Sequence, residues 1–381
     1  MEDTNVNSRE RVLMSLNHQE PDRCPINLRA TDAVIDAMCK HYNKDYYELL
    51  QHLNVDFREV FPDYIGSPLK KLDNGTQLDI WGVGRREVIT ETSRDVFVNY
   101  SPLSNANTVS EVRGHNWPSV DLFDFSQMES KCDRFEGYAI STPGIHAEGY
   151  HGVFHLLTYL FGMEKAMMDL ALNEEVALEA IKHVSKFLLD YYEKMLQQAN
   201  GKIDFVFYKD DFGSQNSLLI SRDMFIKFFG PSLKQLIELT NSYGATLILH
   251  SCGSVMQLIP DFIDLGVKVL DPIQTSAKDM HITTLKEKFG SELTFHGAID
   301  TQVVLPQSSP SEIKEIVKST IDILGKGGGY FFSPSHRIQQ DTPLENIIAM
   351  YETANEYHWM TRRESQNSER RVYHDNKCNQ A

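Results

Sequence analysis

From residue 137 onward the chain alternates between two hydrophobic rhythms. Short continuous apolar runs at 137–141, 203–208, 246–249, 267–270, 293–295 and 330–332 read as buried strands. The segments around them, 164–172, 174–199, 222–243, 255–265, 280–289 and 310–324, carry apolar residues at helical spacing. This alternation predicts a parallel sheet wrapped by helices. Two earlier runs, one near Ile26 and one within 55–61, bring the strand positions to eight, which predicts a closed (β/α)8 barrel. A doubly wound open sheet is the runner-up, but no Gly-x-Gly-x-x-Gly follows an early strand.

The first third has a different texture. Ser8 is placed to cap an opening helix, which stops before Pro21, and helical segments follow at 32–40 and 46–53. Asp73-Asn74-Gly75 is a hairpin turn signal, flanked by β-type runs at 77–83, 86–90 and 95–100. Residues 69–117 therefore read as a β-rich excursion, and 123–135 as helix. Ser309 to Glu312 and Thr342 to Glu345 both have the capping-box pattern with a following proline. Pro231 and Pro260 fall inside helical patterns and should break or kink them. The expected organisation is one barrel domain over 8–361, with a mobile polar tail over 362–381.

Composition narrows the partners. The 381 residues are 41% hydrophobic and carry a net charge of -16. So acidic a surface repels nucleic acid and anionic membranes. No apolar run approaches the roughly 18 residues of a membrane span, and the first residues lack the features of a signal peptide. Five scattered cysteines (Cys24, Cys39, Cys132, Cys252 and Cys378) do not suggest a disulfide framework. A cytoplasmic protein is expected.

The chemistry stands at the ends of the apolar runs. Asp210 and Asp211 follow the run at 203–208, His250 and Cys252 follow 246–249, and Asp271 follows 267–270. His296 follows 293–295, His336 follows 330–332, and His146, Glu148 and His151 come after 137–141. In a parallel barrel these ends converge on one face. Residues i and i+2 of a strand share a side, so His250 and Cys252 can face one point. Alone, a His-x-Cys is usually not a metal site, and Asp210, Asp211 and Asp271 could be turn formers. The convergence favours a zinc-dependent active site, with His250, Cys252 and His336 as ligands and Glu148 or a water as the fourth.

Several stretches resemble the uroporphyrinogen decarboxylase superfamily: SRERVLMSLNHQEPDR at 8–23, DDFGSQ at 210–215, HSCG at 250–253, DPIQ at 271–274, HGAIDTQ at 296–302 and GGYFFSPSH at 328–336. The similarity runs from about residue 8 to residue 359. It implies a (β/α)8 barrel. The metal-independent decarboxylases of that superfamily carry an arginine-rich Arg-Gln-Ala-Gly-Arg motif, where this chain reads Asn27-Leu28-Arg29-Ala30-Thr31-Asp32. The corrinoid-linked methyltransferase branch carries His-x-Cys on a barrel strand, with a cysteine near the last strand where His336 stands here.

The resemblance implies a zinc-dependent methyltransferase. It would move a methyl group from a small methylated substrate, an aryl methyl ether first among them, to the Co(I) of a corrinoid (cobalamin) on a partner protein. Asp210, Asp211, His296 and Glu148 are then candidates for substrate orientation or proton delivery. The alternatives are a metal-independent decarboxylase of a uroporphyrinogen-like tetrapyrrole, a methylcorrinoid:thiol methyltransferase, and a pigment-binding protein without turnover. A homodimer is left open.

Overall fold

The computed structural model describes residues 6–90, 94–143 and 152–357. Seven parallel strands stand side by side in chain order: β1 (Phe57–Glu59), β2 (Ala139–Thr142), β3 (Phe205–Lys209), β4 (Thr246–His250), β5 (Val269–Ile273), β6 (Thr294–Ile299) and β7 (Tyr330–Pro334). Extended chain at Ile26 takes the eighth place. It bridges Phe332 of β7 in parallel, and its carbonyl accepts the Asp56 N–H at 2.9 Å, at the foot of β1. The expected barrel is present, with each of the eight apolar runs at a wall position. All five residues of β4 and of β5 are buried. A strand covered on both faces has no wet side to alternate with, which is why these strands read as unbroken apolar runs.

Inside the barrel Phe57, Ala139, Phe205, Phe207, Ile248, Val269 and Phe331 pack with Val12. Val12 belongs to α1 (Ser8–Leu16), which crosses the end where the strands begin. The Arg9 N–H donates to the Gly137 carbonyl at 2.8 Å, and the Ser15 hydroxyl donates to the Tyr330 carbonyl at 2.9 Å. That end is closed, so a ligand can enter only where the strands finish. Below the wall, the fully buried Asp56 carboxylate receives Arg11, two nitrogens of Arg23 and the Ile26 N–H. One side chain thus joins α1, the closing segment and β1.

Some local readings shift. Asn7, not Ser8, caps α1, because its side chain reaches the Glu10 N–H while Glu10 returns to the Asn7 N–H. Residues 123–135 do not form one helix. Phe123–Asp124 pairs with Asp63–Tyr64 as a small antiparallel bridge, and the helix is only Met128–Asp133. The excursion is a three-stranded antiparallel sheet of Gln77–Leu78, Gly84–Ile89 and Arg94–Tyr100. Asp79 cuts its first run short by accepting the Trp81 and Val83 N–H groups. Trp81, fully buried, packs edge-on against Phe187 of the helix Glu174–Gln198 and pins the excursion outside the barrel.

Both prolines do interrupt their helices: Pro231 and Pro260 lie in the first turns of Gly230–Ser242 and Ile259–Leu265, each preceded by a differently wound turn. The capping box at Ser309 forms, whereas the helix Leu344–Glu356 starts without a side-chain cap. Residues 362–381 and Glu148 fall outside the described residues. No helix among the described residues is long and apolar enough to cross a membrane.

Candidate functional site

The inward-facing rows of the strands change character as they reach the open end. Phe205 and Phe207 on β3 lead to Lys209, Ile248 on β4 leads to His250, and Val269 on β5 leads to Asp271. Side chains repeat every two residues along a strand, so the apolar plug and the polar crown belong to the same rows. Register places them level: Lys209 stands beside His250, and His250 beside Asp271.

Asp271 organises the crown. One of its oxygens is hydrogen-bonded to His250 Nδ1. The other accepts from Arg29 Nη1 at 2.6 Å and lies 2.9 Å from His296 Nδ1. Burial pushes this carboxyl pKa up, but Arg29, His250 and His296 outweigh burial and hold it well below the usual range. A carboxylate at Nδ1 favours the proton there and turns the Nε2 lone pair toward Cys252, the arrangement that orients a metal-binding imidazole.

His250 Nε2 lies 3.3 Å from Cys252 Sγ and 3.7 Å from Asp211 Oδ1. Asp211, His250 and Cys252 bring their donor atoms within 4.8 Å of one another. The edges of a zinc tetrahedron built from usual bond lengths are about 3.4–3.6 Å, so the spacing and the thiol–imidazole–carboxylate set both suit zinc. Burial, with the carboxylates of Asp211 and Asp271, pushes the Cys252 thiol well above its usual range. A divalent cation here would reverse that preference.

Two loops hold the cysteine in place. Asp211 Oδ1 accepts the Cys252 N–H at 2.7 Å, and the Gly253 N–H donates to Gln274 Oε1 at 2.8 Å. Gly253 has φ +88°, and a Cβ there would sit 2.6 Å from the Gly213 carbonyl carbon. The loops following β3 and β4 thus lie backbone against backbone, which only glycine permits.

The remaining candidates take different places. His336 stands at the rim with its ring 6.4 Å from that of His250, beside the close set but not within it. Desolvation, with Arg29 and His250 nearby, pushes it down to about 4, so its imidazole is neutral at pH 7. His296 is fully buried among Phe57, Phe207 and Phe331, and meets the crown through Asp271. Burial lowers its pKa. Asp210 is also fully buried. It accepts the Phe154 and His155 N–H groups at 2.9 and 2.8 Å and the Tyr208 hydroxyl at 3.0 Å, and so anchors the start of α2 (Val153–Phe161).

Asp211 stands in the close set, with burial opposed by His250, His155 and the Cys252 N–H, which together keep its pKa low. His155 of α2 lies between Asp210 and Asp211, 3.4 and 3.6 Å from their oxygens. Burial lowers the His155 pKa, but the two carboxylates outweigh it and raise it. The sequence places Asp271 among the polar groups at the strand ends, with a turn former as the alternative, and assigns no role to Arg29, Lys209 or His155. Continuing the inward parity of β3 by one step points Lys209 at the crown as well. Arg29 and His155 carry no comparable local signal.

These features define a class: a parallel β/α barrel whose open face presents a cluster suited to a metal ion. A profile of the uroporphyrinogen decarboxylase (URO-D) family matches residues 149–357, and the chain belongs to this family. It is similar to a uroporphyrinogen decarboxylase of Actinobacillus succinogenes, 30% identical over 83 residues, or 21% of this chain and 23% of that protein. The chain thus matches under a quarter of that relative's length. A solved methyltransferase from Methanosarcina mazei shares the fold, with a TM-score of 0.63 at 17% identity over 92% of this chain and 99% of the other.

Proposed function

We propose that this protein is a methyltransferase of the family, moving a methyl group from a small methylated substrate to the Co(I) of a corrinoid on a partner protein. An aryl methyl ether is the first candidate donor. The observation that carries this reading is the Asp211–His250–Cys252 cluster at the mouth of the barrel, with His250 oriented by Asp271. His250 and Cys252 would hold zinc, with His336 or else Asp211 as the third protein donor and the fourth position left open for the substrate oxygen. Bound there, zinc supplies Lewis acidity that stabilises the charge left on the ether oxygen. Asp271 fixes the tautomer and aim of His250. His155, its pKa raised by two carboxylates, would serve as a proton source from its place between Asp210 and Asp211. The plugged lower end of the barrel leaves the corrinoid partner and the substrate to share the same open face.

The test is zinc content of the purified protein, together with transfer from a panel of methyl ethers to Co(I) corrinoid followed by absorbance. The reading expects about one zinc per chain, lost with activity in His250→Ala and Cys252→Ala. Zinc-free protein that transfers methyl groups, or double-variant protein with intact transfer, would overturn it. Family membership also supports a second reading, a decarboxylase of a carboxylated tetrapyrrole. Carbon dioxide release from uroporphyrinogen by metal-free protein would establish that one instead.

A further inference from the structure

His296 has no surface to offer a substrate. It is fully buried, with the rings of Phe57 and Phe331 at 6.1 Å and that of Phe207 at 6.0 Å from its own. A group that delivers a proton has to meet the reacting atoms. A buried, polar ring at the edge of the cluster therefore calls for another use.

Its neighbours show one. β5 carries one residue more than β6 at this level: Leu270 pairs with Phe295 and Ile273 with Gly297, so Asp271 and Pro272 together stand opposite His296. A bulge of this kind re-aims a side chain. Asp271 turns one oxygen to His250 on β4 and the other toward β6, where His296 Nδ1 lies 2.9 Å away. Two lone pairs do not approach so closely, so Nδ1 carries the ring hydrogen. Arg29 bonds the same oxygen at 2.6 Å, and the ring N–H meets it obliquely. Burial lowers the His296 pKa, so the ring is neutral at neutral pH and Nε2 is an acceptor. Asn27 Nδ2 faces that nitrogen at 3.4 Å. Asn27 is clamped in turn: its N–H donates to the Phe332 carbonyl at 2.9 Å, and its carbonyl accepts the Tyr351 hydroxyl at 3.2 Å.

We propose that His296 and Asn27 are positioning residues, which act through Asp271 to keep the free nitrogen of His250 turned toward Cys252, and that His296 delivers no proton. Amide, neutral ring, carboxylate and second ring form a chain in which each donor faces an acceptor. It runs from the segment that closes the barrel to the metal-competent cluster. Groups that hold a ligating imidazole from behind are worth about 10- to 100-fold in metal affinity. The inference rests on the methyltransferase reading only for its zinc readout.

Two variants of similar size separate positioning from packing. In His296→Asn the amide can still donate to Asp271 from near the place of Nδ1, whereas His296→Leu cannot donate. Among three phenylalanines, packing alone favours leucine, so the two roles predict opposite orders. Zinc affinity of the full chain, read by competition with a chelator, should be at least about tenfold weaker in His296→Leu than in His296→Asn. Nitrogen NMR of the metal-free chain should show the His250 hydrogen on Nδ1 in the parent and in His296→Asn, and mixed tautomers in His296→Leu. Asn27→Leu should shift both readouts the same way by less. Equal zinc affinity in the two His296 variants, tighter binding by His296→Leu, or one His250 tautomer throughout would overturn the proposal, and parental behaviour of Asn27→Leu would overturn its outer link. Transfer should follow zinc; transfer lost in His296→Asn with zinc and tautomer intact would return His296 to the chemistry and overturn the proposal as well. If the parent binds no zinc, the zinc reading falls and the tautomer comparison alone decides this inference. If the zinc order holds but no methyl reaches Co(I), the positioning role stands and the methyltransferase reading falls.

Discussion

At the scale of single residues, Asp271 has the widest reach. It touches Arg29, His250 and His296 with two oxygens, and none of the four is adjacent in sequence to another. Replacing it by Asn keeps the volume but removes the charge that holds the His250 tautomer. Asp271→Asn should weaken zinc affinity roughly 10- to 100-fold, read by competition with a chelator. Unchanged affinity would mean that His250 is oriented by something else. His336→Ala is the complementary variant. If His336 completes the ligand set, zinc should be lost from it as it is from His250→Ala. Full zinc retention would assign the third position to Asp211, which already lies 3.7 Å from His250 Nε2. His250 and Cys252 were legible as a pair because strand parity is a local property. Asp271 was legible as a polar group at a strand end, but its role was not, because a carboxylate before a proline also reads as a turn former until its partners are known.

At the scale of elements, the site depends on how two loops and one helix start are fastened. The loops after β3 and β4 touch at Gly213 and Gly253, and neither has room for a side chain. Gly253→Ala combines a positive φ with a steric clash, so it should cost about 1–3 kcal/mol in urea unfolding and displace Cys252, lowering zinc content further. Retained zinc at parental stability would show that the loops separate easily. Asp210 was a candidate for catalysis, and the structure gives its oxygens to the N–H groups at the head of α2. Asp210→Ala should therefore act on stability, by about 0.5–2 kcal/mol for the lost cap. A normal unfolding curve with abolished transfer would instead place it in the chemistry. The hydrophobic rhythm located the barrel strands because burial on both faces imprints itself on every residue. It misjudged 123–135, where phenylalanines at short spacing serve a bridge rather than a helix face.

At the scale of the molecule, the barrel is closed from below by charge as well as by packing. Asp56 is buried with Arg11 and Arg23 and gathers α1, the closing segment and β1. Asp56→Ala would leave the buried Arg23 guanidinium without a carboxylate and Arg11 with Asp22 alone, a loss of about 3–5 kcal/mol in denaturant unfolding. Asp22 belongs to the same network: burial raises its pKa, but Arg11 outweighs burial and the folded value lies below the ordinary 3.8. A carboxyl with a depressed folded pKa lends stability above its unfolded value and loses it as pH falls through the folded one. Urea unfolding should accordingly show stability falling below about pH 4, with a shallower fall in Asp22→Asn. An unchanged acid limb would show that the ion pair with Arg11 is replaced in solution.

Sequence by itself determined the number and order of the strand positions, the outside place of the β-rich excursion, and the convergence of polar groups on one face. Each of these follows from local composition, since period, burial and turn chemistry are written within a few residues. Tertiary structure alone decided which polar groups meet. Arg29 and Asp271 are 242 positions apart yet form one ion pair, and that pair positions the imidazole of His250. Asn27 faces His296, which meets the same carboxylate, at an end left open because α1 fills the other. Electrostatic partners are chosen through space across a closed sheet, and no period along the chain encodes that closure.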